Sequence, residues 1–471
     1  MSENNDNQPL QSNRNKWGVL IAALFAGFTV VLNNSLMNVA LPHFMQLYTL
    51  TAVEGQWIIT AFALGMTLVM PLTGYLSKRV GSKKIFLLGT LVFLVGSIAG
   101  PFSWDFTSMI GFRLVQGIGG GMIMPIGMML IFKHFSKNER GFAMGIWGVA
   151  IMIAPTIGPT VGGIILEYSS WEMLYIMNVP TSLLSLVLAI YFLTKDGDSE
   201  RVSFDWLGFL LVSGGIIGLL VGVDALQSTQ NGFVYFMIGL GFALLIGFVL
   251  HELRTDEPLL DIRVLKNFIF TASLLLLANS TIAMFSVLLL IPILIQDIYG
   301  LSALYAGLLL FPQALSMGIS MTIGGRILDK KGPYPVIMTG VVLICIATFG
   351  IAYSLADLQP AFLIALLILH GFANGFVNTP VTTAGLNALP ASHLPAGTAL
   401  NNVSRQMMKV ISVVLLSMLF EARRAHHVAN GNDHLPSGLL AVQDAYIVVG
   451  VCLLLSIPLV YLLRNKWGKG S

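Results

Sequence analysis

Long apolar runs alternate with short polar stretches from residue 17 to near the C-terminus. About 20 apolar residues in a helix cross the roughly 30 Å hydrocarbon core of a bilayer. On that rule the runs predict helical spans at 18–41, 56–76, 85–103, 106–131, 141–166, 174–193, 204–225, 233–252, 268–294, 303–325, 335–355, 360–386, 398–420 and 443–463. Fourteen spans return both termini to one side. The first sixteen residues are polar and Asn-rich and predict a disordered tail. No small-residue cleavage site follows the first apolar run, so it reads as a retained span and not as a signal peptide.

Charge sets the orientation. Of the 25 Lys and Arg, only Arg423 and Arg424 fall in loops on the side away from the termini, and Arg113, Arg405 and Lys409 fall within spans. The others lie on the side of the termini, Lys83, Lys84, Lys330 and Lys331 among them. Positive loops mark the cytoplasm, so both termini are expected there. Trp17, Trp57, Trp104, Trp171, Trp206 and Trp467 sit at span ends, where amphipathic rings meet headgroups, and only Trp147 lies inside a span. Charged residues make up 10% of the chain, against about 25% in a typical soluble protein. The net charge of +3 is spread over short loops and leaves no basic surface for nucleic acid. Cys345 and Cys452 lie in apolar runs, which argues against a disulfide framework or a metal site. Nothing calls for a cofactor or an obligate protein partner.

A short pattern occurs twice. After span 2 the chain has Gly74, Lys78, Arg79 and Gly81; after span 10 it has Gly325, Asp329 and Gly332. Each copy runs Gly, three residues, a charge, two residues, Gly, and each joins a span end to a basic loop. Two such loops imply two related halves, with spans 7 and 8 inserted between them. Repeats of this kind place a substrate near the midplane between the halves.

The Gly74 to Lys84 loop resembles the signature loop of the major facilitator superfamily. Further matches narrow the resemblance to the fourteen-span drug:proton antiporters, the quaternary-ammonium and lincomycin type of exporter. They are the stretch from Leu32 to Pro42, the Arg113, Gln116, Gly117 and Gly119 set, and Gly145 with Ala154, Pro155, Gly158, Pro159, Gly162 and Gly163. Others are Trp171 to Pro180, Asp205 with Trp206 and Gly208, Glu257 to Arg263, and Asn401 to Gln406. The resemblance runs from about residue 30 to 410. It implies an all-α integral membrane fold of two six-helix bundles with a two-helix insert, working by alternating access in a bacterial plasma membrane. The corresponding divisions are a tail at 1–16, bundles at 17–198 and 254–464, the insert at 199–253 and a tail at 465–471.

These residues also have physical readings. Ala154, Gly158 and Gly162 recur every four residues and form a smooth stripe for close helix approach, while Pro155 and Pro159 can bend the helix. That suits a moving seam or plain packing. The Gly117–Gly121 cluster lies in a span with no Lys-Ser/Thr after it, so it reads as packing and not as a phosphate loop. The basic loops suit latches between the halves or topology alone; Asp329 suits an Arg partner or a helix start. In the first copy Lys78 stands where the family carries an Asp, so that half of the latch must differ. Amide and charged residues inside spans mark functional sites or interhelical hydrogen bonds. Asn34 and Asn38 beside Asn33 on span 1, Arg113 and Gln116 on span 4, His370, Asn374 and Asn378 on span 12, and Asn401, Arg405 and Lys409 on span 13 form such sets. By the resemblance, spans 1, 4, 9 and 12 line a central cavity, with span 13 near the gate.

Proton coupling is where the resemblance strains. The family's span-1 carboxylate position is occupied by Asn33, and an amide does not release a proton near neutral pH. Glu54, Asp105, Glu167, Glu172, Asp297, Asp357 and Glu421 fall at outer span ends, Asp224 in the outer turn of span 7, and most other acids in loops or tails. Two alternatives follow. In one, coupling has passed to His370, whose ordinary pKa lies near neutrality, or to an outer acid. Otherwise transport is uncoupled from protons, and Arg113, Arg405 and Lys409 favour an anionic headgroup. The expected activity is thus export of hydrophobic or amphipathic small molecules with proton antiport, against an exporter or flippase for an anionic amphipathic lipid or metabolite. A transport-dead sensor on this fold is a third reading. An enzyme is not expected: no nucleophile–base pair or metal cluster stands at a span end. His134, His251, His393, His426 and His427 read as loop residues, the last two with His434 as a possible but weak metal set.

Overall fold

The computed structural model describes residues 13–194, 203–226, 232–255, 257–301, 303–355, 359–431 and 434–467. The predicted tails at 1–12 and 468–471, and Asp357, lie outside these residues, as do the side chains of Pro159, Asp224 and His434. Among the described residues the chain is helical throughout, without strands. The first half comprises α1 (Asn13–Leu47), α2 (Ala52–Val69), α3 (Leu72–Val80), α4 (Ser82–Ala99), α5 (Phe106–His134), α6 (Arg140–Tyr168), α7 (Met173–Ile176) and α8 (Asn178–Phe192). The insert is α9 (Trp206–Leu226) and α10 (Gly232–Glu252). The second half comprises α11 (Phe268–Pro292), α12 (Ala303–Lys331), α13 (Pro333–Ser354), α14 (Pro360–Asn387), α15 (Leu394–Ala429), α16 (His434–Leu454) and α17 (Ser456–Trp467).

Eleven helices are long and apolar enough to cross a membrane, thirteen when each of two bent pairs counts as one span. The 21-residue α9 occupies the remaining predicted position. One bent pair is α2 with α3, at 52°; the other is α6, bent by 41° between Pro155 and Thr160, where proline removes backbone donors. Helices also run past the predicted spans at their polar ends. α1 begins at Asn13, inside the stretch expected to be a tail, and α15 carries on to Ala429. His134, His251, His426 and His427 are therefore helical and not loop residues. Thr51 with Glu54 and Asp105 with Ser108 form capping boxes that satisfy backbone donors at the starts of α2 and α5.

Burial separates lipid from protein. Leu88, Leu91, Val95 and Ile98 are exposed along one face of α4, and Phe233, Phe236, Leu240 and Ile246 along α10. Exposed apolar stripes of this kind are what acyl chains cover. The insert helices pack on each other through Gly215, Gly218 and Gly241, and α9 lies against both α2 and α15. A buried core runs from the first half across the basic end, through Leu259, Leu260, Ile262 and Val264 of the following linker, to Leu394 and Ala396 at the start of α15.

Candidate functional site

The two copies of the repeated pattern do matching work. Gly81 ends α3 at φ 95° and Gly332 ends α12 at φ 78°, the left-handed region in which a Cβ is strained. The first glycine of each copy meets the opposite half. A Cβ on Gly74 would lie 3.5 Å from the Pro395 carbonyl oxygen at the start of α15. One on Gly325 would clash with the Gly141 carbonyl oxygen at the start of α6. Asp329 then caps α6 from across the interface: its carboxylate accepts from the backbone N–H of Gly141 (2.9 Å) and of Phe142 (2.7 Å). Arg140 Nη1 donates to Asn387 Oδ1 (2.7 Å), and the Arg326 guanidinium lies 4.4 Å over the Phe142 ring. In the first copy Lys78 is half-buried and Arg79 donates to Tyr75 Oη, so neither caps α15. The acidic cap is thus seen in the second copy and not at Lys78 of the first.

The hydrogen bonds of Arg140 and Asp329 that join the halves lie at this basic end, where α6 and α12 touch through Gly141, Gly145 and Gly148. Away from it, accessible polar groups appear on inward arcs. Asn38 is exposed and Asn34 partly exposed on α1. On α15, Lys409 shares the arc of Arg405, Leu416 and Phe420, opposite the lipid-facing Leu415 and Met418, yet it is exposed. Lys409 Nζ lies 5.8 Å from the Phe285 ring centre and forms no hydrogen bond among the described residues. One turn away, Arg405 donates from Nε to Asn401 Oδ1 (3.1 Å) and from Nη2 to Thr382 Oγ1 (2.5 Å). A narrow crevice between α11 and α15, with room for little more than a water molecule, is lined by Arg405, Asn401, Met408, Thr281 and Leu277 among others. Among the described residues no carboxylate lies at mid-span in the helices that face this space.

The other polar stripes expected on the cavity turn out to be internal to one half. Asn33, Arg113 and Gln116 are fully buried. Arg113 donates from Nε to the Ile58 carbonyl oxygen (2.9 Å) and from Nη1 to Asn33 Oδ1 and Gln116 Oε1 (2.9 Å), while Gln116 Nε2 donates to Ser97 Oγ (3.0 Å). The guanidinium stands 4.5 Å over the Phe62 ring. His370, Asn374 and Asn378 are likewise buried. His370 Nδ1 contacts Gln313 Nε2 (3.2 Å) on α12, and Asn374 exchanges hydrogen bonds with Ser280 on α11 (3.1 and 3.2 Å). A polar stripe at helical spacing can be satisfied by cavity water or by a neighbouring helix, and sequence spacing does not separate the two. The stripe of Ala154, Gly158 and Gly162 also belongs to one half: Gly158 presses on Ser35 and Gly162 on Leu36, both of α1. Gly117, Gly119 and Gly121 pack against α2 and α4 backbone, as their reading as packing predicts.

Some groups were overlooked. Glu252, at the last residue of the eighth predicted span, is fully buried beside Asp205. Asp444 accepts from Arg423 Nε (2.8 Å) and contacts His427 Nε2 (2.7 Å), joining α15 to α16 at the outer end. A carboxylate falling just inside an apolar run was the available signal in both cases. Outside the spans, the hydrogen bond from Lys16, reinforced by Ser136, holds the Glu139 carboxyl below its usual range.

Comparison with known proteins agrees with this architecture. The family model described as Major Facilitator Superfamily matches residues 23–413. The chain is 32% identical over 438 residues to the uncharacterized MFS-type transporter YhcA of Bacillus subtilis, covering 92% of this chain and 82% of that one. It is 27% identical over 420 residues to the multidrug export protein EmrB of Escherichia coli (87% and 81% covered). It is also 27% identical over 457 residues to the riboflavin transporter RibZ of Clostridioides difficile (96% and 98% covered). Among solved structures, the human organic anion transporter MFSD10 superposes with a TM-score of 0.67 at 15% identity, covering 94% of this chain and 99% of that one, a likeness of fold. With two pseudosymmetric bundles, a repeated gate loop and a family match over most of its length, the chain belongs to the Major Facilitator Superfamily of multi-pass membrane transporters.

Proposed function

We propose that this transporter exports amphipathic small molecules across the plasma membrane by alternating access, and that Lys409 and Arg405 receive an anionic or electron-rich group of the substrate. The basic end is taken as cytoplasmic, by the charge of its loops. The contacts of Asp329, Arg140 and Gly141 at that end then hold the cytoplasmic side closed. The observation that carries the reading is Lys409: an ammonium on an inward arc, accessible, without an acidic partner. At an effective dielectric near 20, a unit charge about 4 Å away contributes about 4 kcal/mol before desolvation is counted. Asn34 and Asn38 supply neutral hydrogen-bonding groups on the facing half, and Met408 a deformable apolar wall.

A second reading, proton-driven export of drugs, is supported by the motif resemblance and by the similarity to a protein described as a multidrug exporter. It requires a proton carrier other than Asn33, and His370 is the candidate inside the spans. The two readings part in proteoliposomes with a lumenal pH dye and a panel of cationic and anionic amphipaths. The first predicts transport of anionic compounds whose pH signal, if any, survives His370→Gln. A drug-driven pH change in wild type that is abolished in His370→Gln would establish the second.

A further inference from the structure

We propose that Asp205 and Glu252 form a proton-binding site at the basic end of the inserted helix pair, one proton being held between the two carboxylates. The two meet over the backbone of Gly208: a Cβ there would lie 2.9 Å from Glu252 Oε1 and in collision with Asp205 Oδ2. Glu252 is fully buried, and the Asp205 side chain is 6% exposed. Asp205 Oδ1 is occupied, accepting from the Gly208 N–H (2.9 Å) and meeting His251 Nε2 (2.9 Å). Glu252 Oε1 accepts from the Leu260 N–H (3.4 Å). The second oxygen of each acid, Asp205 Oδ2 and Glu252 Oε2, is buried without a hydrogen-bond partner.

Buried polar atoms without partners are costly, and two adjacent carboxylates are costlier still when both are ionised. One proton on Glu252 removes a negative charge from the pair and turns an acceptor into a donor beside Asp205. The surrounding charges offer no other remedy. His251 faces Asp205 alone and also contacts Thr255 Oγ1 (3.2 Å). Asp261 adds a further negative charge and takes the Arg263 N–H, while Arg263 Nη2 is spent on the Thr255 carbonyl oxygen (2.6 Å). Arg79, on the neighbouring α3, is bound to Tyr75, and Glu257 accepts from Ser203. A metal ion is disfavoured, since no group of three or more ligand side chains stands together among the described residues.

The site is tied to the gate. Phe204, next to Asp205, packs edge-on against Tyr75 of α3 at 5.2 Å, and α3 abuts the start of α15 through Gly74. Leu259 and Leu260, joined to Glu252 through the Leu260 N–H, are buried in the core that includes Leu394 and Ala396. The proton thus holds together the corner that braces α3 against α15. Its loss, on the basic side, sets two carboxylates against each other and loosens that corner. The site itself depends on no choice of substrate; its link to the gate rests on the alternating access proposed above.

Difference infrared spectroscopy of the full chain in nanodiscs, between neutral and alkaline buffer, tests the site. The expected result is a protonated-carboxyl carbonyl band in wild type that is lost on alkalinisation and is absent in Glu252→Gln. Glu252→Gln, which keeps a donor toward Asp205, is expected to melt as wild type does, with Glu252→Ala melting lower. A wild type without the band, a band that persists in Glu252→Gln, or equal destabilisation by Gln and Ala would each overturn the proposal. For the link to the gate, thiol labelling of Ala396→Cys is expected to rise with pH more steeply than in the same variant carrying Glu252→Gln. Equal pH dependence in the two would sever the site from the gate while leaving the infrared result to stand or fall alone.

Discussion

Replacing Asp329 by Ala removes an acidic cap that crosses between the halves. Two backbone donors at the start of α6, those of Gly141 and Phe142, lose their carboxylate partner. Hydrogen bonds to a charged group contribute about 1.5–3 kcal/mol each, and a carboxylate at a helix N-terminus adds about 0.3–1 kcal/mol. Opening resolvates all three groups, so only part of that sum distinguishes the closed basic end from the open one. A net loss of about 2–3 kcal/mol is a reasonable share, which shifts the equilibrium toward opening by about 30- to 150-fold at 1.4 kcal/mol per tenfold. Asp329→Asn keeps a neutral acceptor and should fall between the two. Spin labels at the exposed positions Lys137 and Lys331, beside the starts and ends of α6 and α12, report the separation by double electron–electron resonance. Asp329→Ala should move population into a longer-distance component. An unchanged distribution in Asp329→Ala would refute the reasoning, since it would mean that the cap carries no part of closure.

Other outcomes follow from the same contacts. Gly325→Ala places a methyl against the Gly141 carbonyl, so the paired labels should separate even with Asp329 intact; retention of the wild-type distance would show that the approach is slack. Arg113→Ala leaves Asn33 and Gln116 buried without their shared donor and should lower stability by about 1–3 kcal/mol, read as reduced thermal stability in detergent. Lys409→Ala, with no hydrogen bond to lose, should leave the melting temperature within a degree or two while weakening binding of anionic amphipaths by about tenfold or more, read by ligand-binding titration. Glu139 has its carboxyl held below the ordinary range by Lys16, so its contribution is present at neutral pH and is lost as pH falls through that lowered value. Glu139→Gln should accordingly flatten a small acid-side loss of stability in pH-dependent melting curves.

The spans were legible because hydrophobic run length is a direct readout of bilayer thickness, and each predicted run falls on one helix or on two consecutive ones. The gate was legible for a different reason. Gly81 and Gly332 are demanded by positive φ, and Gly325 by close approach, so the repeat carries most of its geometry in the residue type. Asp329 as a helix cap was among the alternatives the residue allowed. The cavity was much less legible. Asn33, Arg113, Gln116, His370 and Asn374 have the spacing of a polar face, but they find partners on helices distant in sequence, and only the packing decides between a neighbour and water. Lys409 and Arg405 differ from one another in the same way: Arg405 is held by Thr382 of α14, which no local pattern reveals. Glu252 was hidden by its position, since an acid at a span terminus ordinarily reaches water, and here the linker folds back over it.

The most direct test of the account is uptake of a fluorescent anionic amphipath into proteoliposomes, comparing wild type, Lys409→Ala and Asp329→Ala. The account predicts saturable, protein-dependent movement in wild type and a half-saturating concentration raised about tenfold or more in Lys409→Ala. It also predicts altered turnover in Asp329→Ala without a matching change in affinity. Movement of cationic amphipaths alone, or an affinity for the anionic probe untouched by Lys409→Ala, would contradict it.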